Sequence, residues 1–282
     1  MKVGADLSAT ESASGQPARR WRPSLLVWAS LAGHGGAFFL LIQKPALWPW
    51  ALAALLANHL LLALAGLLPR CKLLGPNWTR LPAAAAARGE IALTFDDGPD
   101  PVVTPAVLAL LDAHGVKATF FCVGTQAALH PEICRDMVRR GHSIENHSEQ
   151  HRHNFSLLGP AGFQRELEAA QTTLTAITGE RPQFFRAPAG LRNPFLDPVL
   201  HRLGLQLASW TRRAYDTRVG DPAGVLRKLT LCLQAGDILL LHDRHAAFTP
   251  NGRPVILEVL PLLLDSIRQA GLRPVTLRDA LL

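Results

Sequence analysis

The stretch IALTFDDGPDP, residues 91–101, ends an apolar run on two adjacent aspartates, Asp96 and Asp97, and then breaks at Gly98, Pro99 and Pro101. Neighbouring carboxylates repel each other, so a strand end that carries both needs a reason. Two readings are open. Asp, Gly and Pro are ordinary turn residues, and the segment could be a solvated turn. Alternatively, the pair is held in place to grip a cation and activate a water.

Other polar clusters also follow apolar runs. IENHSEQH places His147 and His151 just after a short run at 144–146. Their HxxxH spacing predicts both imidazoles on one face of a helical turn, as two metal ligands require. FFRAPAG delivers Arg186, SWTRRAYD carries Trp210 and Asp216, and ILLLHD ends in His242 and Asp243. A nitrogen–nitrogen–carboxylate set with open positions suits zinc or a related divalent ion. A spare carboxylate can then act as base and a spare histidine as acid, the kit for metal-assisted hydrolysis of an amide or ester.

Taken singly, each cluster has a plain structural reading. Eleven histidines allow an HxxxH pair by chance. Arg186 fits an ordinary salt bridge, His242 a satisfied core histidine, and Asp243 a turn or cap. His142 and His153 are read as surface or supporting residues rather than ligands. Five polar clusters, each just after an apolar strand of one alternating domain, favour the chemical reading.

The elements that would position them are legible from Glu90 onward. Apolar or β-branched runs at 91–95, 117–123, 184–186, 205–210, 237–242 and 272–277 predict strands. Helical patterns lie between them, near 103–114, 131–140, 161–178, 222–234 and 254–270. Gly115, Gly141, Gly179, Gly236 and Gly271 each follow a helical pattern, where a left-handed cap favours glycine. Such alternation implies a parallel sheet or barrel with helices outside, and in such folds chemistry gathers at the carboxyl ends of the strands.

The first third of the chain is different. Residues 1–20 are small, polar and aperiodic, an expected disordered tail. Leu25 to Ile42 and Trp50 to Leu68 carry no charge, and each approaches the roughly 20 residues that span a hydrocarbon core. A transmembrane hairpin over residues 21–70 is expected, with QKPALWP as its turn and Trp48 and Trp50 at the interface. A cleaved signal peptide would have a shorter apolar core and no second span directly after it. Asn58 and His59 are expected to be satisfied across the hairpin, for example by His34. Arg19, Arg20 and Arg22 precede the hairpin and Arg70, Lys72 and Arg80 follow it, against Lys44 alone in the turn. This bias places both ends, and the domain beyond, on the cytoplasmic side of an inner (plasma) membrane. Residues 71–88, with the alanine run LPAAAAARG, read as a linker.

Bulk properties agree. Mean hydropathy is +0.14 and formal net charge is +7. The arginines are scattered without a long basic run or aromatic interleaving, which argues against nucleic acid and for a membrane flank and an anionic substrate. Cys71, Cys122, Cys134 and Cys232 form no CxxC pair and are expected in buried apolar positions, without a structural bridge.

Residues 89–282 resemble the NodB-type polysaccharide deacetylases, carbohydrate esterase family four, with five motif regions in order. TFDDGP at 94–99 and HSEQH at 147–151 are intact, and LLLH at 239–242 fits. RAPAG at 186–190 departs from the pattern, with Ala189 where an aromatic is usual. WTRRAYDT at 210–217 carries Arg213 at the usual first aspartate and Thr217 at the usual tryptophan. The resemblance implies an irregular (β/α) barrel behind the two membrane helices, and a metal-dependent hydrolase that removes N-acetyl groups from an amino sugar. It implies Asp96 as general base, Asp97, His147 and His151 as ligands of zinc (cobalt or a similar ion being possible), and Arg186 orienting Asp96. It implies His242 as the acid that protonates the leaving amine, with Asp216 holding its ring. Leu240 and Trp210 would line the acetyl pocket, and a backbone N–H near Ala189 would serve the oxyanion. Loss of two large aromatics at 189 and 217 predicts a wider groove and, with the hairpin, a lipid-linked saccharide as substrate. Three alternatives are a glycan-binding membrane protein without catalysis, a deformylase, and an extracytoplasmic cell-wall or chito-oligosaccharide deacetylase.

Overall fold

The computed structural model describes residues 21–282, so the expected disordered tail at 1–20 lies outside the described residues. Helices α1 (Leu25–Gln43) and α2 (Trp48–Leu67) form a hairpin through a 3-10 turn at Pro45–Leu47. Ser24 caps α1, its hydroxyl oxygen accepting from the Val27 N–H at 3.3 Å, as an N-cap serine does. The hairpin's two segments are long and apolar enough to cross a membrane, with a mean hydropathy of 1.8 each. Trp28, Phe38, Leu56 and Leu60 are exposed on its surface. Inside it, the Asn58 amide donates to the Ser30 hydroxyl at 2.9 Å, and the His34 and His59 rings meet edge-on at 5.1 Å. Asn58 is thus satisfied across the hairpin, by Ser30 rather than by a histidine.

After the five-alanine helix α3 (Ala83–Ala87), strands and helices alternate. The first part runs β1 (Glu90–Asp96), α4 (Val103–Ala113), β2 (Thr119–Cys122), α5 (Gly124–Leu129), α6 (Pro131–Arg139) and β3 (Ser143–Asn146). Next come α7 (Pro160–Thr178), β4 (Phe184–Phe185), α8 (Leu196–Leu203), β5 (Gln206–Leu207) and β6 (Arg212–Arg213). Helix α9 (Pro222–Thr230), β7 (Ile238–His242), α10 (Val255–Gln269) and β8 (Arg273–Val275) complete the chain. All strand pairs are parallel, in the order β5-β4-β3-β2-β1-β7-β6, with β8 beside the first half of β1. This is a curled, open (β/α) barrel, as expected.

The central strand β1 is buried along its whole length, which is why it reads as an almost unbroken apolar run. Its side chains alternate. Ile91, Leu93 and Phe95 face the helices, with Phe95 stacked on Phe120 at 5.0 Å. Ala92, Thr94 and Asp96 therefore face the barrel interior. The same parity on β7 turns Ile238, Leu240 and His242 inward, and the register sets Asp96 beside His242.

Residues 71–88 are not a free linker. Trp78 exchanges backbone hydrogen bonds with the end of β5 and the residues after it, donating to Leu207 and accepting from Ser209, both at 2.8 Å. The Thr211 hydroxyl donates to the Thr79 carbonyl at 2.7 Å, and the Leu81 N–H donates to Gly236. The segment thus lies along the gap between the edge strands and serves as part of the wall. The alanine run is a helix because alanine has the highest helix propensity, and Ala85 is buried in the inner cluster with Leu81 and Ile238. Two cysteines also differ from expectation. Cys122 and Cys134 are buried, but Cys71 is half-buried and Cys232 is exposed, in the loop after α9.

Candidate metal and catalytic site

At the end of β1 the backbone changes hand: Asp97 has φ 75. That turn separates the two carboxylates. The Asp97 Oδ1 lies 3.3 Å from His147 Nε2 and 3.1 Å from His151 Nε2. One ligand atom from each of these residues falls within 4.8 Å of the others. The Nδ1 of His147 bonds the Arg186 carbonyl at 2.8 Å. A carbonyl can only accept, so this nitrogen carries the proton, and Nε2 of the neutral ring presents its lone pair to Asp97. Lone pairs of two nitrogens and a carboxylate facing one another at this distance call for a cation between them, so the residues fit a divalent metal. Burial alone would raise the Asp97 carboxyl; the two facing imidazoles, wherever they carry a proton toward it, and the positive charge of His242 pull it well below the usual carboxylate range.

His147 and His151 are not on a helical turn, contrary to the expectation from their spacing. They flank a tight loop in which the Ser148 N–H donates to the Asn146 side chain (2.9 Å) and the His151 N–H donates to the Ser148 hydroxyl (3.0 Å). Ser148 and His151 adopt φ 65 and φ 50. These side-chain caps fold the loop back so that the rings approach to 4.9 Å.

Asp96 has a separate partner. Arg186 follows β4, is fully buried, and donates from Nη1 to Asp96 Oδ1 at 2.7 Å and to the Thr94 hydroxyl at 2.8 Å. One guanidinium reaches both because residues two apart on a strand share a face. Its remaining donors go to the carbonyls of Ala208 (3.2 Å) and Ser209 (2.7 Å), and its face lies 4.1 Å from the Phe121 ring centroid. Burial pulls the guanidinium down in pKa, with Asp96 opposing.

The third unit is His242 with Asp216. Asp216 Oδ1 bonds His242 Nδ1 at 2.8 Å, and Oδ2 accepts the His242 backbone N–H, also at 2.8 Å. Burial would lower the His242 pKa. The negative charge and hydrogen bond of Asp216, helped by Asp96 and Asp97, overcome it and raise the ring to about 9.

A cavity of about 370 Å³ joins these units, lined by Asp96, Asp97, His147, His151, Leu240 and His242 among others. Ala189 (φ 55, ψ 5), Trp210 and Thr217 also line it. Arg186 and Asp216 lie behind the lining, each against the cavity residue it bonds. The arrangement combines a cation cradle, a carboxylate fixed by a buried arginine, and an imidazolium fixed by a buried carboxylate.

Comparison with known proteins agrees with this geometry. A family model described as polysaccharide deacetylase matches residues 83–208. A chitooligosaccharide deacetylase of Bradyrhizobium sp. (strain ANU 289) is 35% identical over 188 residues, covering 64% of this chain and 85% of that protein. A peptidoglycan-N-acetylglucosamine deacetylase of Bacillus cereus is 30% identical over 193 residues, 68% of this chain and 87% of the relative. The chain belongs to the polysaccharide deacetylase family. Among solved structures, a family 4 carbohydrate esterase from Streptomyces lividans in complex with acetate superposes with a TM-score of 0.60 at 29% identity, covering 66% of this chain and 91% of that one. Metal dependence is general in the polysaccharide deacetylases, and the Asp97–His147–His151 cluster is a site able to hold one.

Sequence reasoning on this deacetylase missed several neighbours of the site. His245, three residues past His242, lies 3.6 Å from Asp97 Oδ2 and lines the cavity with Arg213 and Arg218. His153 also lines it, whereas His142 is buried elsewhere, accepting from the Ala118 N–H. Asp243 is more than a turn residue: it is buried, and the Thr104 hydroxyl donates to it at 2.6 Å. Burial pushes its carboxyl up to about 7. A Cβ at position 98 would come within 2.3 Å of that carboxylate, so the glycine of the TFDDGP motif is there for space. Only the position of Asp243 directly after a strand-end histidine could have signalled this.

Proposed function

We propose that the chain is a membrane-anchored, zinc-dependent N-deacetylase of an amino sugar, whose substrate class is a lipid-linked N-acetylated saccharide. The observation that carries this reading is the convergence on one cavity of a three-atom cation cradle and two differently wired acid–base units. Asp97, His147 and His151 would hold the ion; two nitrogens, one oxygen and open positions suit zinc, with cobalt or a similar ion as a substitute. The ion supplies Lewis acidity, polarising an amide carbonyl and making water a stronger acid.

The chain's own residues do the rest. Asp96, oriented and offset in charge by Arg186, takes a proton from the attacking water. His242, an imidazolium on Asp216, gives a proton to the nitrogen as the C–N bond breaks, so acetate and a free amine leave. Trp210 and Leu240 wall the space for the acetyl methyl, and a main-chain N–H at Ala189 serves the developing oxyanion. The relatives are named for chitooligosaccharide and peptidoglycan N-acetylglucosamine, so an N-acetylglucosamine unit is the first sugar to test. The hairpin at 21–70 would anchor the deacetylase domain, 89–282, on the cytoplasmic face by the charge bias of its flanks.

The decisive experiment is Asp96→Asn: the purified variant should keep one equivalent of metal and lose acetate release. Near-normal turnover would refute the assignment of the base. A topology reporter fused after Leu282 should be active only on the cytoplasmic side; activity only outside would move the substrate to the cell wall.

A further inference from the structure

A second cavity, about 670 Å³, lies where the hairpin meets the barrel. It shares Trp210 and Arg213 with the catalytic cavity, so the two are adjoining rooms with a common wall. One side is built from Leu68 to Cys71, the residues that leave α2; the other carries Arg212, Arg213, Tyr215 and Lys228. The junction is fixed. Arg192 donates to the carbonyls of Gly66 (3.1 Å) and Cys71 (2.6 Å), and Asn77 donates to that of Pro69 (2.9 Å).

Four cations and no acid line this cavity. Arg212 is committed to Asp237 at 2.5 Å. The other three have no carboxylate partner among the described residues. Arg70 bonds only the Thr211 carbonyl, at 3.1 Å. Arg213 and Lys228 lie over the Tyr215 ring, 4.9 Å and 5.4 Å from its centroid. The Arg213 Nε is buried without a hydrogen-bond partner. Three cations gathered around one space without counter-charge leave a strong positive potential, and guanidinium forks match the oxygens of a phosphate. The cavity also begins at Leu68, directly after the last turn of the apolar helix α2, at the depth where a lipid's phosphate would lie if that helix is in a membrane.

We infer that this cavity is the phosphate subsite for an amino sugar carried on a lipid phosphate. The acylamino group would occupy the catalytic cavity, the anomeric phosphate would rest on Arg70, Arg213 and Lys228, and the alkyl chain would leave along α2 past Leu68. The sugar's place rests on the deacetylase reading above; the anion's place does not.

The test uses the full chain in phosphatidylcholine nanodiscs with three substrates: N-acetylglucosamine joined to a long alkyl chain through a phosphodiester, the neutral glycoside of the same chain, and a soluble nucleotide-diphosphate N-acetylglucosamine. The phosphodiester should exceed the neutral glycoside at least tenfold in kcat/KM, mainly through KM. Arg70→Gln and Lys228→Gln should each lower that ratio several-fold, the double variant should bring it near one, and Arg70→Lys should retain most of it. A wild-type ratio near one, a ratio unmoved by the double variant, or equal use of the soluble sugar nucleotide would overturn the subsite. Direct binding of hexadecyl phosphate against hexadecanol to the Asp96→Asn chain needs no turnover, so failure of all hydrolysis would sink the deacetylase reading while this arm still judges the subsite. Tenfold or better preference for the phosphate, lost in the double variant, supports it. Equal displacement by the same mole fraction of phosphatidylglycerol would show a general anionic-lipid contact and overturn it.

Discussion

Asp216→Asn separates the proposed acid from every other group in the site. Asp216 is fully buried and spends both carboxylate oxygens on His242, one on the ring and one on its backbone N–H, each at 2.8 Å. The raised pKa of His242, from 6.5 to about 9, corresponds to about 3 kcal/mol of preference for the imidazolium. Asparagine keeps the shape but removes the charge, and its NH₂ must face one of the two N–H groups that the carboxylate accepts. Burial, which disfavours the cation, remains.

The sign follows from the role. The acid works protonated, so kcat/KM falls as pH rises through the pKa of His242. An enzyme with that pKa at about 9 is about nine-tenths in the active form at pH 8, and one with it near 6.5 about 3%, so the variant should lose roughly thirty-fold at pH 8 and much less at pH 6. Acetate release from the alkyl phosphodiester of N-acetylglucosamine, followed from pH 5 to 10, measures the alkaline limb, and ¹⁵N NMR of the His242 ring measures its ionisation directly. Linkage gives a second readout. A raised folded-state pKa stabilises the fold fully below about 6.5, and the contribution is lost as pH rises through about 9, so Asp216→Asn should cost more stability at pH 6 than at pH 10. An active, folded variant with its alkaline limb in the wild-type position would refute the pairing as the source of the acid.

Three further outcomes are expected. Arg186→Met removes the guanidinium bonded to buried Asp96 and frees the carbonyls of Ala208 and Ser209; breaking such a pair costs about 3–5 kcal/mol, measurable by urea denaturation. His147→Ala and Asp97→Ala should each lower metal content below one equivalent in the purified protein, and prolonged chelation of the wild type should abolish activity that added zinc restores. Gly190→Ala puts a Cβ 2.6 Å from both Pro69 and Trp210 at φ +75, so it should cost about 1–3 kcal/mol and reduce kcat/KM by disturbing both the pocket wall and the hairpin junction.

Much of this site was legible in the sequence because of how a parallel sheet displays it. Strands β1, β2 and β7 are covered on both faces, so they read as apolar runs, and whatever polar residue ends such a run is already at the carboxyl edge. Asp96 and His242 were found that way, and Arg186 by the same rule after the apolar pair Phe184–Phe185 of β4. A strand made of charged residues leaves no such trace. β6 is Arg212–Arg213 within a charged stretch, and its pairing with Leu239–Leu240 comes from the sheet alone. The HxxxH spacing singled out a pair whose rings do meet, though not on a helical turn: a loop closed by Asn146 and Ser148 brings residues four apart together as well as a helical turn does. The cationic cavity was hidden for another reason. Arg70 and Lys228 are 158 positions apart, and only the docking of the hairpin on the barrel brings them to one space.

The tandem aspartates show why the two carboxylates can coexist. On an extended strand, adjacent side chains point to opposite faces, and Asp97 would then project into the helix layer beside Phe95 and Phe120, where no cation waits. The left-handed turn at Asp97, φ 75, brings it back to the same rim as Asp96 but toward the two imidazoles instead of the arginine. Asp96 meets Arg186 at 2.7 Å while Asp97 meets His147 and His151 at 3.3 Å and 3.1 Å. Each negative charge thus has its own positive partner, one supplied by the chain and one left for a metal. That division suits two different tasks, a base kept free of the ion and a ligand committed to it. A residue that resists positive φ at position 97, such as valine, would remove both the ligand and the turn, whereas asparagine, which tolerates that conformation, would remove only the charge.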